Sequence, residues 1–271
     1  MQSWVKDYNE KGFHFPFRVF HESSAARYRG ILQNIETTQE PELVRLAIGQ
    51  SNSLIPFVDE ICRSESVLDP VRQILGPNIL VWNSSFFIKE PESTDFISWH
   101  QDLTYWGLTN SHEVTAWIAL STASEASGCM KFIAGSHKIG IVEHHDTFAD
   151  NNLLSRGQEL AVEVKEEEAV DVILQPGEMS LHHGKVFHAS SPNQSADRRI
   201  GLAIRYITPD MKQTIDEKTD ATLVTGTDTF GNFNLKDSPQ GLLNPEDIIS
   251  VKRNMALKEK FLMAGVSKDT S

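Results

Sequence analysis

Apolar positions follow one spacing in the first quarter of the chain and another after Gly76. Before Gly76 they recur three or four residues apart, which predicts a first helix over about 25–37, capped by Ser23 and Ser24. The same spacing, with flanking Pro and Gly residues, predicts three shorter helices over about 43–48, 55–64 and 69–75, the last with Pro70 in its first turn. The chain therefore begins with a helical region.

After Gly76, short apolar and aromatic segments alternate with turn residues, a pattern typical of strands. The predicted strands lie at about 79–89, 114–120, 130–133, 160–164, 170–174, 179–183 and 200–207. A final helix is predicted from Pro245 to about 264. Helices followed by many short strands favour a mainly β barrel or sandwich buttressed by N-terminal and C-terminal helices. Since no repeat or linker divides the chain, we expect a single domain over residues 1–271.

The charge balance and the cysteine count exclude several classes of protein. The 271 residues contain 25 Lys and Arg against 37 Asp and Glu, which gives a net charge of -12. A surface this acidic argues against nucleic acid and against anionic membranes as partners. No apolar stretch approaches the roughly 20 residues of a spanning helix, no secretory signal is visible, and two cysteines fit a reducing compartment. We therefore expect a cytoplasmic protein that acts on a small molecule, in an oligomeric state that the sequence leaves open.

Three side chains, those of His100, Asp102 and His188, suggest a metal site. In a His-x-Asp segment both side chains point to the same side of an extended strand, because side chains alternate along a strand. Together with a later imidazole they can occupy one face of an octahedral metal and leave the opposite positions open, as in non-haem Fe(II) oxygenases. A second His-x-Asp, from His144 to Asp146, competes with the first. We favour the first pair because it precedes a regular predicted strand, and we interpret the second as part of a solvated loop.

Three motifs, in order along the chain, resemble a known family. They are residues 99–106 (WHQDLTYW), 135–138 (GSHK) and 188–199 (HASSPNQSADRR). Together they resemble the phytanoyl-CoA dioxygenase superfamily of Fe(II)- and 2-oxoglutarate-dependent oxygenases, over about residues 79–209. The resemblance implies a double-stranded β-helix, which is a jelly-roll or cupin-like barrel. It also implies an enzyme that uses Fe(II), 2-oxoglutarate and O2 to hydroxylate a C–H bond. Ala134 stands where the family usually has Pro.

The resemblance also assigns roles to residues of this chain. His100, Asp102 and His188 correspond to the iron ligands. Arg199 follows His188 by eleven residues, the spacing of the family's arginine that grips the distal carboxylate of 2-oxoglutarate, and a guanidinium fork suits a carboxylate. Asp102 favours hydroxylation, since halogenating relatives have a small apolar residue at that position. The resemblance implies further contacts to 2-oxoglutarate from Ser190, Trp117 and Asn83, although Trp117 is equally well explained as a core aromatic.

Two neighbouring pairs leave a choice open. Arg198 points to the opposite face from Arg199 if the segment is a strand, and we expect it at the surface. A shift in strand register would exchange their roles. Of His182 and His183, alternation allows only one to line the pocket, and the sequence does not say which.

The substrate is the part of the function that the sequence defines least. Tyr105 and Trp106 follow the His-x-Asp pair and border the expected pocket, either as a cation–π site for an amine or as plain apolar walls. Lys89 and Lys185 either add positive charge for an anionic group or lie at the surface. Little of the chain remains for a coenzyme-A insert, so a small polar substrate is favoured. An aminoalkylphosphonate, such as 2-aminoethylphosphonate or its N-methylated form, is the best guess by resemblance to bacterial members of the superfamily.

Other functions remain open at this point. The alternatives are hydroxylation of an ectoine-like amino acid derivative, a natural-product scaffold or an acyl-CoA, and a non-catalytic β-helix binding protein. The intact set of His100, Asp102, His188 and Arg199 favours the enzyme, because a binding protein has no need of all four.

Overall fold

A computed structural model describes residues 3–154 and 156–262 of the chain. Residues 3–75 are helical apart from one strand. The elements are α1 (Ser3–Lys11), β1 (Phe13–Arg18), α2 (Glu22–Thr38), α3 (Pro41–Gly49), α4 (Ser51–Leu54), α5 (Pro56–Arg63) and α6 (Glu65–Leu75). The four predicted helical regions are present, but the sequence pattern did not reveal α1, β1 or the short helix α4.

Two helix starts differ from the prediction. Helix α2 begins at Glu22 because the His21 ring, rather than Ser23 or Ser24, caps it by accepting the Ser23 N–H. Helix α6 begins at Glu65, so that Pro70 lies inside it rather than in its first turn. The Ser64 carbonyl already accepts N–H groups of the first turn, so the helix is established before the proline removes a donor.

The rest of the chain is mainly β. The elements are β2 (Ile79–Lys89), β3 (Ile97–His100), β4 (Glu113–Ala119), β5 (Met130–Ile133), β6 (His144–Asp146), β7 (Gln158–Leu160), β8 (Ala169–Val172), β9 (Glu178–His182), β10 (His188–Ser190), β11 (Arg199–Ile207), β12 (Asp220–Thr225), β13 (Asn234–Leu235) and α7 (Pro245–Leu262). The predicted strand over 160–164 is wrong, since β7 ends at Leu160. The predicted end of the last helix, near 264, lies outside the described residues.

The strands form two large sheets that face each other as a jelly-roll. One sheet has the order β1-β9-β4-β11-β2-β12-β13 and the other β3-β10-β5-β8, while β6 and β7 pair separately. The pairings between these strands are antiparallel, except that of β12 with β13. The predicted mainly β barrel with helical buttresses is therefore confirmed, whereas the single domain over 1–271 stays a prediction.

Strand β11 is buried along its whole length because both of its faces are covered. Its even-numbered residues, such as Ile200 and Leu202, pack with helical residues in the larger core. Ala203 packs with Trp117 in a smaller core between the sheets. The odd-numbered residues of β11 therefore face the barrel interior, and Arg199 and Arg205 belong to this row. No helix in the described ranges is long and apolar enough to cross a lipid bilayer.

Candidate metal centre

Strand pairing brings His100, Asp102 and His188 together. His100 ends β3 and His188 begins β10, and the two are direct partners in the antiparallel ladder. Asp102 opens the single helical turn that follows β3. One donor atom from each of the three lies within 4.8 Å of the other two. The sequence placed these residues on one site, and the structure brings them together.

The histidine rings are oriented by backbone carbonyls. His100 Nδ1 lies 2.9 Å from the Ser98 oxygen, and His188 Nδ1 lies 3.0 Å from the Val186 oxygen. A carbonyl accepts a hydrogen bond, so each Nδ1 carries the proton and each Nε2 lone pair is free. The Nε2 atoms lie 3.5 Å and 3.9 Å from Asp102 Oδ1. This set of two imidazoles and one carboxylate fits an Fe(II) ion with open positions.

The electrostatics also keep the three groups ready to bind a cation. Burial lowers the pKa of His188 well below its ordinary value, so the ring is neutral. Burial raises the pKa of Asp102, but the contact with His100 and the charge of Arg205 outweigh it and hold that pKa low. Neutral imidazoles and an ionised carboxylate are the forms that ligate metals.

The second His-x-Asp pair supports the first rather than forming a metal site of its own. His144 lies on strand β6, so its interpretation as part of a solvated loop is wrong. Its Nε2 accepts the backbone N–H of Gln101, the residue between His100 and Asp102, at 3.0 Å. Asp146 pairs with Arg156 instead of facing the metal centre.

The structure also distinguishes the two neighbouring pairs. His182 lines the cavity beside the cluster, with Nε2 4.0 Å from Asp102 Oδ2, and burial lowers its pKa to about 4. His183 faces away and lies 3.3 Å from the Glu113 carboxylate. Arg199 lines the same cavity as His182, while Arg198 pairs with Glu36 and Glu90 near the surface.

An inner chamber extends from the metal centre to Arg199. Arg199 is 1% exposed, and its Nε and Nη2 atoms have no hydrogen-bond partner among the described residues. Its guanidinium lies 5.5 Å from the centre of the Trp117 ring, and Ser190 completes this end of the chamber. Burial lowers the pKa of Arg199 to about 10, so the group remains charged at neutral pH. A buried, unpaired guanidinium is a site for an anion.

Neither of the two lysines proposed for substrate contact lines a chamber beside the metal centre. Lys89 is fully buried, and its Nζ lies 3.2, 2.6 and 2.5 Å from the hydrogen-bond acceptors Ser190 O, Ser190 Oγ and Ser191 O. These contacts engage the nitrogen within the protein, and burial lowers its pKa to about 6. Lys185 points elsewhere and donates to Ser111 Oγ at 3.3 Å. The expectation that Lys89 and Lys185 contact the substrate is therefore corrected.

A larger outer chamber opens on the other side of the metal centre and shares Phe87, His100, Asp102 and Arg205 with the inner one. Tyr105 and Trp106 line it, as the sequence suggested. Asn83 lines it as well, rather than the inner chamber where its proposed contact with 2-oxoglutarate would occur. Sequence reasoning missed two further residues of this chamber, Arg205 and Lys258. The even spacing of Arg199 and Arg205 along β11 could have revealed the first.

The jelly-roll, the buried two-histidine and one-carboxylate cluster and the unpaired arginine together define the class of non-haem Fe(II)- and 2-oxoglutarate-dependent oxygenases. Residues 8–201 match the model of the phytanoyl-CoA dioxygenase (PhyH) family. The chain belongs to this family, which confirms the resemblance found in the sequence.

Curated relatives are named for related but different reactions. A probable alpha-ketoglutarate-dependent hypophosphite dioxygenase of Stutzerimonas stutzeri is 33% identical over 156 residues, which cover 56% of this chain and 54% of the relative. An L-proline trans-4-hydroxylase of Streptomyces griseoviridis is 26% identical over 209 residues, covering 66% and 76%. The chain spans about half the length of the first curated relatives that it matches.

Solved structures match over nearly the whole chain. The non-heme monooxygenase ThoJ in its apo form is 30% identical, with a TM-score of 0.84 over 97% of this chain and 98% of that one. CytC3 with Fe(II) and alpha-ketoglutarate is 19% identical, with a TM-score of 0.68 over 90% and 95%. The second likeness shows the shared fold.

Proposed function

We propose that the protein is an Fe(II)- and 2-oxoglutarate-dependent dioxygenase that hydroxylates an unactivated C–H bond of a small polar molecule. The observation that carries this proposal is the junction of two features in one cavity. Three ligand atoms lie within 4.8 Å of one another, and the unpaired guanidinium of Arg199 lies in the same chamber. A binding protein would gain nothing from a metal triad placed beside a buried anion site.

The metal triad, Arg199 and Ser190 each have a task in this proposal. His100, Asp102 and His188 hold the iron, which when bound supplies O2 activation coupled to decarboxylation of 2-oxoglutarate. Arg199 binds the distal carboxylate of 2-oxoglutarate through its two free nitrogen atoms. Ser190 Oγ accepts a hydrogen bond from Lys89, so its own hydrogen is available to the same carboxylate.

The chamber walls position the co-substrate and exclude water. Phe87, Ile97 and Met130 line the inner chamber beside the metal triad. Trp117 packs against Gly201, where an added Cβ would lie 1.8 Å from the indole Cζ2. Apolar walls of this kind strengthen the attraction between Arg199 and a carboxylate, because they lower the local dielectric constant.

For the substrate we propose an aminoalkylphosphonate such as 2-aminoethylphosphonate or its N-methylated form. This proposal is supported by the relative named as a probable hypophosphite dioxygenase, since hypophosphite is a phosphorus oxyanion. A free amino acid or an amino acid derivative is the second candidate, supported by the printed name of the L-proline trans-4-hydroxylase.

Two measurements test these proposals in turn. Protein with Fe(II) and 2-oxoglutarate under anaerobic conditions should show a visible metal-to-ligand absorption band, and its absence would refute the assigned cofactors. Succinate release should then be stimulated by aminoalkylphosphonates in a panel that includes proline and ectoine-like compounds. Stimulation by the amino acids alone would replace the first substrate candidate by the second.

A further inference from the structure

The outer chamber contains two buried cations on different elements. Arg205 on β11 is 8% exposed, and Lys258 on α7 is 6% exposed. Both line the chamber that also reaches His100 and Asp102. Charged side chains are almost never buried to this degree without a partner of opposite charge.

Arg205 makes few contacts for a buried guanidinium. Among the described residues, its one hydrogen bond is from Nη1 to Ser85 Oγ at 2.9 Å. The guanidinium carbon lies 5.7 Å from the centres of the Phe87 and Trp106 rings. A guanidinium has five N–H donors, so most of them remain for a ligand.

Lys258 likewise has fewer hydrogen bonds than its ammonium group can donate. Its Nζ donates to the Trp82 carbonyl at 3.1 Å and lies 4.0 Å from the centre of the Trp82 ring. An ammonium has three donors, so two remain. Trp82 and Trp106 are themselves in contact, with ring centres 5.2 Å apart. The two cations therefore flank one aromatic pair.

The carboxylates near these cations are already engaged or exposed. Asp102 belongs to the metal triad, and Asp220 pairs with Arg253 on α7. Glu259 also lines the chamber, but it is exposed to solvent. The charge of Arg205 contributes, after burial, to lowering the pKa of Lys258 to about 7. An anion bound between the two would relieve both the burial and the repulsion.

This anion is distinct from 2-oxoglutarate. Arg199 and Arg205 lie six residues apart on one face of β11, which is about 20 Å along a strand. Gly201 and Ala203 lie between them on the same face, where the Trp117 indole packs against them. The carboxylate that binds Arg199 at the far end of the inner chamber therefore does not reach Arg205. Arg205 lines both chambers, so it can bind a second anion from the outer side, where Lys258 lies.

We propose that the substrate is an oxyanion, a phosphonate or a carboxylate, whose charged group binds between Arg205 and Lys258 in the outer chamber. This inference rests on the proposed function, because it places the reacting part of the substrate toward the metal triad. It also changes the expected role of Trp106, whose ring contacts the protein's own arginine instead of a substrate amine. Lys258 lies beyond residues 8–201, so the substrate contact is supplied by a helix outside the family match.

Calorimetry with three matched compounds tests this inference. 2-Aminoethylphosphonate, β-alanine and aminopropanol share an amine and a short chain but end in a phosphonate, a carboxylate and a neutral hydroxyl. Each is titrated into protein loaded anaerobically with Fe(II) and 2-oxoglutarate, and into protein without additions. We expect at least tenfold tighter binding of one anionic compound than of aminopropanol. The tighter of the two anions identifies the end group.

Variants locate the binding site. Lys258→Met and Arg205→Gln should each weaken binding of the preferred anion at least tenfold, and the glutamine keeps a donor for Ser85. Lys252→Met is the matched control on α7, because Lys252 is exposed and pairs with Glu42 away from the chamber. If Arg205→Gln fails to fold, Lys258→Met decides alone.

The outcomes separate this inference from the proposed function. Equal or absent binding of anionic and neutral compounds overturns it, as does unchanged affinity in folded Lys258→Met protein. If the absorption band forms but no anion binds, the oxygenase assignment stands and the anion site fails. If an anion binds in a Lys258-dependent way but no band forms, the anion site stands and the assigned cofactors fail.

Discussion

The inner and outer chambers meet at His100 and Asp102 but are built differently. The inner chamber is enclosed by strands of the two facing sheets, and Arg199 at its far end lies within residues 8–201, which match the family. The outer chamber is closed by the aromatic residues after β3 and by helix α7, which lies beyond that match. Two buried guanidinium groups lie on the same face of β11: Arg199 lines the inner chamber, and Arg205 lines both.

The difference indicates how one fold serves a common co-substrate and a particular substrate. A wall made of hydrogen-bonded strands fixes the position of Arg199 through the sheet register. A wall that includes a helix from the end of the chain can change its side chains without disturbing that register. We therefore expect a change at Arg199, which lines only the inner chamber, to affect 2-oxoglutarate, and a change at Lys258, which lines only the outer chamber, to affect the substrate.

The largest effect is expected where the chambers meet. His100→Ala should weaken Fe(II) binding by more than about a hundredfold, since even residues that only support metal ligands cost about 10- to 100-fold. His144→Ala is the control, because His144 holds the Gln101 backbone and is not a ligand in this interpretation. Competition with a chelator under anaerobic conditions measures both. If His144→Ala loses Fe(II) binding while His100→Ala retains it, the second His-x-Asp pair supplies the metal ligands instead of the first.

A large effect confined to the inner chamber is expected from Arg199→Met. Removing one partner of a buried charge pair costs about 2–5 kcal/mol, so the Kd of 2-oxoglutarate should rise by at least about 30-fold. Arg198→Met, beside it, breaks only ion pairs near the surface and should leave the Kd nearly unchanged. The titrated absorption band gives both values. The opposite order would identify Arg198 as the carboxylate clamp.

A smaller effect is expected from the wall between the two arginines. In Gly201→Ala the new Cβ would meet the Trp117 indole at 1.8 Å, so the ring must move. We expect a loss of about 1–3 kcal/mol in the free energy of unfolding. Gly30→Ala on α2 is the matched control, because nothing lies within 4 Å of its added Cβ, and it should gain about 1 kcal/mol. Urea unfolding that places both variants at the wild-type value would contradict this packing.

The smallest effect, when it is expressed per pH unit, concerns the pH dependence of stability. The pKa of Lys89 is about 6 in the folded protein, against an ordinary value of 10.5. Between these values the unfolded chain binds more protons, so the contribution of Lys89 to stability rises with pH. The free energy of unfolding of wild type should rise relative to Lys89→Met by about 1 kcal/mol per pH unit from pH ~6.5 to ~9.5. Parallel curves would show that the folded protein keeps this ammonium charged.

The reach of sequence reasoning is clearest on β11. The segment RIGLAIRYI is apolar enough to predict a buried strand, and the motif spacing identified Arg199. It did not show that both faces of the strand are covered, and so the second arginine of the inner row, Arg205, was missed. Lys89 was misjudged for the same reason, since its role depends on the loop at Ser190 and Ser191, about a hundred residues away.

The sequence by itself determined the class of fold, the three candidate metal ligands and the arginine near them. Local spacing and motif order are sufficient for this, because alternation along a strand decides which side chains share a face. Only the tertiary structure decided which residues line the outer chamber, where we propose that the substrate binds. Tyr105, Trp82, Arg205 and Lys258 come from four distant parts of the chain, and they meet because sheet register and the docking of α7 place them around one chamber.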